Sequence, residues 1–184
     1  LIDVMKRGAK IINIDPRVNW LAAKSDLHLQ IRPGTDAALA LGMLNYIIQN
    51  DLYDHDFVER WCYGFDELAE HVKPWTLEKT EQVTWIPKEK VVEAAEMIAK
   101  SDGAILQWGV ALDMTKEALP TSQAAFDIFC ITGQIERPGG MRSFAMLAVG
   151  VLMISLRPSK TKSAQDTTIS PSWAVRWRSL RLTV

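Results

Sequence analysis

The sequence contains 184 residues, of which 48% are hydrophobic and 23% charged, a composition typical of a soluble globular protein. Its formal net charge of −1 argues against a general attraction to nucleic acid or to an anionic membrane surface. The two cysteines, Cys62 and Cys130, lie far apart, which argues against a disulfide scaffold or a compact metal knuckle and predicts that both are packing residues.

The N-terminal segment is predicted to be the end of a helix. Residues 1–6 have helical character, and Gly8 follows them as a helix terminator. Because the sequence has neither an initiator Met nor a basic and apolar leader, we expect it to begin inside a longer protein.

Two strands are predicted next. Residues 9–15, "AKIINID", are an apolar run that ends at Asp15 and Pro16, which is typical of a buried strand. Residues 27–31, "LHLQI", alternate in polarity and predict a second strand. The connection, residues 17–25, is long enough for about two helical turns. A strand, a short helix and a strand predict a parallel pair of the α/β class.

The rest of the body is predicted to be mainly helical. Apolar residues recur every three or four positions in residues 37–48, so this helix has one buried face. Further helices are predicted at residues 54–61, 64–72, 76–84, 86–101 and 116–133, with a third strand at residues 104–108. Asp54 is predicted to cap the first of these helices. The predicted fold is therefore of the α/β class, a parallel sheet flanked by helices.

The composition changes abruptly after residue 141. Residues 142–184 contain seven of the 21 basic residues but one of the 22 acidic residues, so this segment carries +6 and residues 1–141 carry −7. The segment also lacks the alternation of strands and helices. We expect it to be a divergent basic tail, either poorly ordered or translated out of frame, and dispensable for the stability of the body.

Two polar motifs each have a structural and a functional interpretation. Asp15, Pro16 and Arg17 are consistent with a simple turn, or with a ribose-binding acid beside a phosphate-binding Arg at the end of a parallel strand. In "RPGTD", residues 32–36, Thr35 or Asp36 caps a helix in the structural interpretation. In the functional interpretation, Gly34 lets a ligand approach and Asp36 accepts the two adjacent N–H donors of guanine.

The motifs in combination resemble a known family. In chain order they are "RGAKIINIDPR", "LHLQIRPGTDAAL", "LYDHDFV" and "ITGQIERPGG". This set is similar to that of the molybdopterin oxidoreductases of the dimethyl sulfoxide reductase family, and the resemblance covers residues 1–141. It implies a fragment of the large catalytic subunit of a Mo- or W-dependent enzyme that acts on a small-molecule substrate. It also implies that residues 1–141 form a Rossmann-like, dinucleotide-binding layer of that larger enzyme.

The resemblance also implies a cofactor site. Family members bind molybdopterin guanine dinucleotide, and this chain is similar to the region that holds the guanosine end. The matching positions are Asp15, Arg17, Pro33, Gly34, Thr35, Asp36, Trp108 and Gly109. The last two lie in residues 106–113, "LQWGVALD", where the resemblance implies a loop that follows the third strand and runs along the dinucleotide. Leu112 stands where the family frequently has Gln, and Gln107 and Asp113 are the nearby polar candidates to replace it.

The family's metal ligands and iron–sulfur cysteines lie upstream of these motifs, so the resemblance implies no catalytic or metal-binding residue in this chain. We therefore expect the chain by itself to be inactive, and the parent protein to pass electrons to an iron–sulfur subunit. A non-catalytic subunit of an electron-transfer complex with the same fold is the alternative. A nicotinamide dehydrogenase is disfavoured because no G-x-G-x-x-G follows a strand.

Overall fold

The computed structural model describes residues 2–114 and 117–141. A short helix, α1 (Ile2–Lys6), precedes two strands, β1 (Ile12–Ile14) and β2 (Leu27–Leu29). The helices that follow are α2 (Asp36–Gln49), α3 (His55–Trp61), α4 (Phe65–Val72), α5 (Leu77–Thr84), α6 (Lys88–Ala99), α7 (Val110–Asp113) and α8 (Ala118–Ile131).

The two strands pair in parallel, as predicted, with Ile12 opposite Leu27. Asp26 fixes the start of the pair, because its carboxylate accepts hydrogen bonds from the Ile11 amide over 2.9 Å and from Lys10 over 2.7 Å. Parallel pairing brings the carboxyl ends of both strands to one edge of the sheet. Helix α6 packs against β2, so the predicted α/β class with a helix-flanked parallel sheet is confirmed.

The connection between the strands differs from its prediction. Residues 17–25 form turns and not the predicted short helix. The Asn19 side chain accepts a hydrogen bond from the Ala22 amide over 2.9 Å, and the Ser25 hydroxyl donates to the Ala22 carbonyl over 2.9 Å. Side-chain hydrogen bonds of this kind compete with the backbone ladder of a helix, so short polar residues favour turns.

The prediction of a third strand at residues 104–108 is wrong. In the described part of the chain, β1 and β2 form the sheet, and residues 103–109 have no regular structure. The Ala104 amide donates to the side-chain oxygen of Gln134 over 2.9 Å. An apolar run becomes a strand where a neighbouring strand satisfies its backbone, and here a side chain supplies the partner. Helix α7 follows in place of the predicted loop.

Helix α2 forms the centre of the core. It packs against α4, α5, α6 and α8, and the predicted positions Leu41, Leu44 and Ile47 are each 0% exposed. The prediction of a single buried face is wrong, because every residue from Ala38 to Asn45 is buried and helices surround α2. Gly42 lies on the side of α2 that meets α5, where an added Cβ would overlap the Thr80 side chain. The small residue lets the two helices approach closely.

Local capping signals set several helix ends. The Asp54 carboxylate accepts from the Phe57 amide over 2.9 Å and caps α3, as predicted. The Thr76 hydroxyl accepts from the Lys79 amide over 3.3 Å and caps α5. Helix α8 ends at Ile131, and Gly133, two residues later, adopts a φ of 66°, a left-handed conformation that glycine favours.

A buried glutamine attaches the loop after α6 to the end of α8. The Gln134 side chain is 0% exposed, and besides accepting from Ala104 it donates to the carbonyls of Ile98 over 3.4 Å and Ser101 over 3.3 Å. These bonds hold the segment that leads to Trp108.

The predicted packing role of the cysteines agrees with their surroundings. Cys62, at the end of α3, is half-buried, Cys130 in α8 is buried, and both thiols are free. Burial raises the pKa of Cys62 to about 11, so its thiol is protonated at neutral pH. The predicted basic tail, residues 142–184, lies outside the described residues and stays a prediction. Within residues 2–114 and 117–141, no helix is long and apolar enough to cross a membrane.

Candidate nucleotide site

The loop after β1 is shaped by Asp15. Its carboxylate accepts from the Arg17 amide over 2.7 Å and from the Asn19 side chain over 2.9 Å, and its side chain is 22% exposed. The Arg17 side chain is 85% exposed, and its Nε lies 3.7 Å from Oδ1 of Asp15. Asp15 therefore organises the loop, whereas the guanidinium of Arg17 is accessible to a ligand.

The loop after β2 presents open backbone at Gly34. This residue has a φ of 80°, and no atom lies within 4 Å of the position that a Cβ would occupy. Pro33 precedes it and is exposed. A ligand can therefore approach the main chain here more closely than at a residue with a side chain.

Thr35 does not cap α2 with its side chain. It occupies the N-cap position, but its hydroxyl donates to the Arg32 carbonyl over 2.7 Å and makes no cap hydrogen bond. The cap proposed in the structural interpretation of "RPGTD" is thus absent for Thr35. Its hydroxyl closes the turn that contains Gly34.

Asp36 is the first residue of α2, and its side chain is half-buried. Burial raises the pKa of this carboxyl, and a hydrogen bond from its own backbone amide partly opposes the shift. Among the described residues, no ion pair or hydrogen bond to another residue's side chain engages it. The carboxylate is therefore partly desolvated and keeps acceptor capacity.

The first two loops lie together. Both follow the carboxyl ends of paired strands, and the Gln30 side chain donates to the Pro16 carbonyl over 3.1 Å. Gln30 was not among the predicted site residues. The alternating polarity of residues 27–31 gave no sign of this contact, because the contact depends on the pairing of β1 with β2.

The third predicted loop, which contains Trp108 and Gly109, makes no hydrogen bond or ion pair to the loops after β1 and β2 among the described residues. Trp108 is 40% exposed, and its indole N–H donates to Asp113 over 3.1 Å. Asp113 and Gln107 are the two candidates to replace the Gln that the family frequently has at the position of Leu112. Asp113 is engaged by this contact with Trp108, whereas Gln107 is exposed. Gly109 has open space at its Cβ position.

A residue outside the predicted site borders the second loop. The guanidinium carbon of Arg32 lies 5.2 Å from the centroid of the Trp85 ring. The Arg32 amide also donates to the Thr84 carbonyl over 2.9 Å. Sequence analysis missed Trp85 because it is 53 positions away from Arg32 in the chain.

The described residues supply polar groups that suit a nucleotide and do not form a metal centre. In residues 2–114 and 117–141, no group of three or more His, Cys, Asp or Glu side chains is arranged to hold a metal ion. The arrangement offers an accessible cation, open backbone and a partly desolvated carboxylate, which are the groups that phosphate and base edges require.

Comparisons with known proteins agree with the motif analysis. A family model described as "Molybdopterin oxidoreductase" matches residues 2–174. Acetylene hydratase from Syntrophotalea acetylenica is 42% identical over 129 residues, which cover 70% of this chain and 18% of that protein. The solved structure of acetylene hydratase from Pelobacter acetylenicus aligns with a TM-score of 0.74 at 39% identity and covers 77% of this chain and 19% of its own.

Two further relatives have different activities in their names. The F420-dependent formate dehydrogenase 2 subunit alpha of Methanococcus maripaludis is 32% identical over 139 residues, 76% of this chain and 21% of that protein. The molybdopterin-containing subunit of thiosulfate reductase from Salmonella typhimurium is 34% identical over 142 residues, 77% of this chain and 19% of that protein. The chain thus spans about a fifth of the length of these relatives.

Proposed function

Because the chain belongs to the molybdopterin oxidoreductase family, we propose that the loops after β1 and β2 bind the guanosine end of a molybdopterin guanine dinucleotide. The observation that carries the proposal is Asp36, a half-buried carboxylate without another residue's side chain as partner, two residues after the open backbone of Gly34.

Asp36 is proposed to recognise the guanine base. Guanine presents an N1–H and an amino group side by side, and one carboxylate accepts both in a bidentate pair. Adenine presents no such pair of donors on that edge. A partly desolvated carboxylate forms stronger hydrogen bonds than a fully hydrated one. The half-buried position of Asp36 at the N-terminus of α2 therefore favours base recognition.

Arg17 is proposed to pair with phosphate, and Asp15 to hold the loop and meet the ribose. The 85% exposure of the Arg17 side chain leaves its forked donors accessible. Asp15 already accepts two hydrogen bonds, but an ionised carboxylate has about four acceptor sites, so its oxygens retain capacity for a ribose hydroxyl. Trp108 and Gly109 are proposed to border the dinucleotide farther along.

The whole protein is proposed to be a Mo- or W-dependent oxidoreductase that acts on a small-molecule substrate. When bound, the cofactor supplies the metal-centred chemistry, while the protein orients it and adjusts its electronic properties. We place the metal ligands and an iron–sulfur cluster in segments other than the described residues, and we propose an iron–sulfur subunit as electron-transfer partner.

Calorimetric titration with guanosine diphosphate tests the proposal. Asp36→Asn keeps the shape of the side chain but replaces an acceptor with a donor, and we expect it to weaken binding by about 1.5–3 kcal/mol, the range for hydrogen bonds to a charged group. Adenosine diphosphate serves as the base control and should bind more weakly than guanosine diphosphate to the unmodified chain.

Asp66→Asn is the matched control variant. Asp66 is an exposed acid in the first turn of α4, so this change removes the same helix-dipole contribution without touching the site. It should leave affinity unchanged. Equal affinity of the unmodified chain and Asp36→Asn would reject the guanine contact. Absence of any guanosine diphosphate binding would favour the alternative, a non-catalytic subunit with the same fold.

A further inference from the structure

Trp85 adopts a backbone conformation that is unfavourable for its residue type. It follows α5 as the C-cap residue with a φ of 64°, in the left-handed region that glycine favours. Its side chain is 68% exposed, so burial of the indole does not offset the strain. A strained, exposed aromatic residue is a reason to look for a functional contact.

The neighbours of Trp85 fix where its ring lies. The Thr84 side chain is 0% exposed, and Ile86 is 1% exposed, so the chain is anchored in the core on both sides of the tryptophan. The carbonyl of Thr84 accepts the Arg32 amide over 2.9 Å. This bond joins the end of α5 to the start of the turn at Gly34, and it places the indole next to the Arg32 guanidinium, 5.2 Å from the ring centroid.

Arg32 is a cation at this edge without an acidic partner. Among the described residues, no carboxylate lies within ion-pair distance of its guanidinium, whereas Arg17 has Asp15 at 3.7 Å. The site also contains the carboxylates of Asp15 and Asp36, which repel an anion. A second cation beside Arg17 would therefore strengthen the binding of a phosphate group at this edge.

We propose that Trp85 is a positioning residue that holds the Arg32 guanidinium beside the Gly34 turn, where Arg32 pairs with a phosphate of the bound guanine nucleotide. The contact of a cation with an aromatic face restricts a flexible side chain before the ligand arrives, and such preorganisation raises affinity. The inference rests on the proposed function and adds to it a phosphate contact and the residue that orients it.

The test uses the 184-residue chain and two probes, guanosine diphosphate and guanosine. Arg32→Gln should lower affinity for guanosine diphosphate about tenfold or more, as expected for a lost hydrogen bond to a charged group. Trp85→Gly should lower it about two- to fivefold, the equivalent of one exposed cation–π contact. Trp85→Phe keeps an aromatic face and should retain most of the affinity. The affinity for guanosine, which has no phosphate, should be the same in the unmodified chain and in the three variants.

The melting temperature separates this role from a merely structural one. Glycine suits the left-handed backbone, so Trp85→Gly should melt at the same temperature as the unmodified chain or higher, while it binds guanosine diphosphate more weakly. The double variant, which combines Arg32→Gln with Trp85→Gly, should bind guanosine diphosphate no more weakly than Arg32→Gln alone. This is expected because Trp85 acts through Arg32.

Three results would overturn the inference without touching the proposed function: unchanged affinity in Trp85→Gly, additive losses in the double variant, or an equal loss of guanosine affinity. A wild-type chain that binds neither probe would overturn both.

Discussion

The side-chain amide of Asn19 donates a hydrogen bond to Oδ2 of Asp15 over 2.9 Å. Together with the bond from the Arg17 amide to Oδ1, it gives both oxygens of Asp15 a partner within its own loop. The acid at the end of β1 therefore contributes to the structure of the loop before any ligand binds, whereas the adjacent Arg17 side chain contributes little to it.

Substitutions of Asp15 and Arg17 should therefore have different effects on the free energy of unfolding and on the affinity for guanosine diphosphate. We expect Asp15→Ala to lower the free energy of unfolding by about 1–3 kcal/mol, because two donors lose a charged acceptor. Arg17→Ala should change it by less than about 0.5 kcal/mol, as exposed side chains do, but should weaken guanosine diphosphate binding. Urea denaturation and calorimetric titration measure the two quantities. Equal stability losses in the two variants would contradict the division of roles.

Gly34 and Gly109 form a matched pair for a backbone test. Both have open space at the Cβ position, but Gly34 has a φ of 80° and Gly109 a φ of −117°. Gly34→Ala should therefore destabilise the protein by about 1–2 kcal/mol through strain alone. Gly109→Ala should have an effect of less than about 0.5 kcal/mol. Denaturant midpoints measure both effects, and a similar loss in both variants would show that the left-handed backbone of Gly34 is not the source of the cost.

Asp127 of α8 makes stability depend on pH. It is 0% exposed, neither carboxylate oxygen has a hydrogen-bond partner in the described structure, and burial raises its pKa well above the ordinary value of 3.8. A carboxyl whose pKa is raised by folding binds its proton more tightly in the folded state. Its ionisation therefore opposes folding, and stability falls as the pH rises from 3.8 toward the folded-state pKa.

Asp127→Asn removes this ionisation. We expect the variant to melt at a higher temperature than the unmodified chain at pH 8, by the equivalent of about 1–3 kcal/mol for an unsatisfied buried group. The difference should shrink as the pH falls toward 4. Thermal scans across this range measure it, with the exposed Asp66→Asn as control. A pH-independent difference would indicate that Asp127 has a partner when ionised.

Close packing of α2 on α5 should be sensitive to one methyl group. An added Cβ at Gly42 would overlap the Thr80 side chain, so Gly42→Ala should destabilise the protein by about 1–3 kcal/mol. Thr80→Ala removes the overlapping atoms, and the double variant should be more stable than the sum of the single changes predicts, by about 0.5–3 kcal/mol. Strict additivity in this double-mutant cycle would show that overlap with the Thr80 side chain is not the source of the loss.

Local sequence patterns determined most of the elements. The spacing of apolar residues predicted α2, and the cap at Asp54 predicted the start of α3, because both depend on residues a few positions apart. The two strands followed from apolar and alternating runs that end at turn residues. The combined motifs predicted the family, which the comparisons confirm.

Tertiary structure decided where distant residues meet. Residues 104–108 have a strand-like composition, yet their Ala104 amide bonds to Gln134, 30 positions away. The Thr35 hydroxyl closes a turn instead of capping a helix, and Trp85 comes to lie beside Arg32. The sequence by itself determined most of the helices, the parallel strand pair and the family, since short-range periodicity, capping and local motifs specify them. Only the tertiary structure decided the strand partners, the burial of Asp127 and the contacts around the candidate site. These features depend on which groups, distant in the sequence, satisfy each backbone and side-chain hydrogen-bonding group.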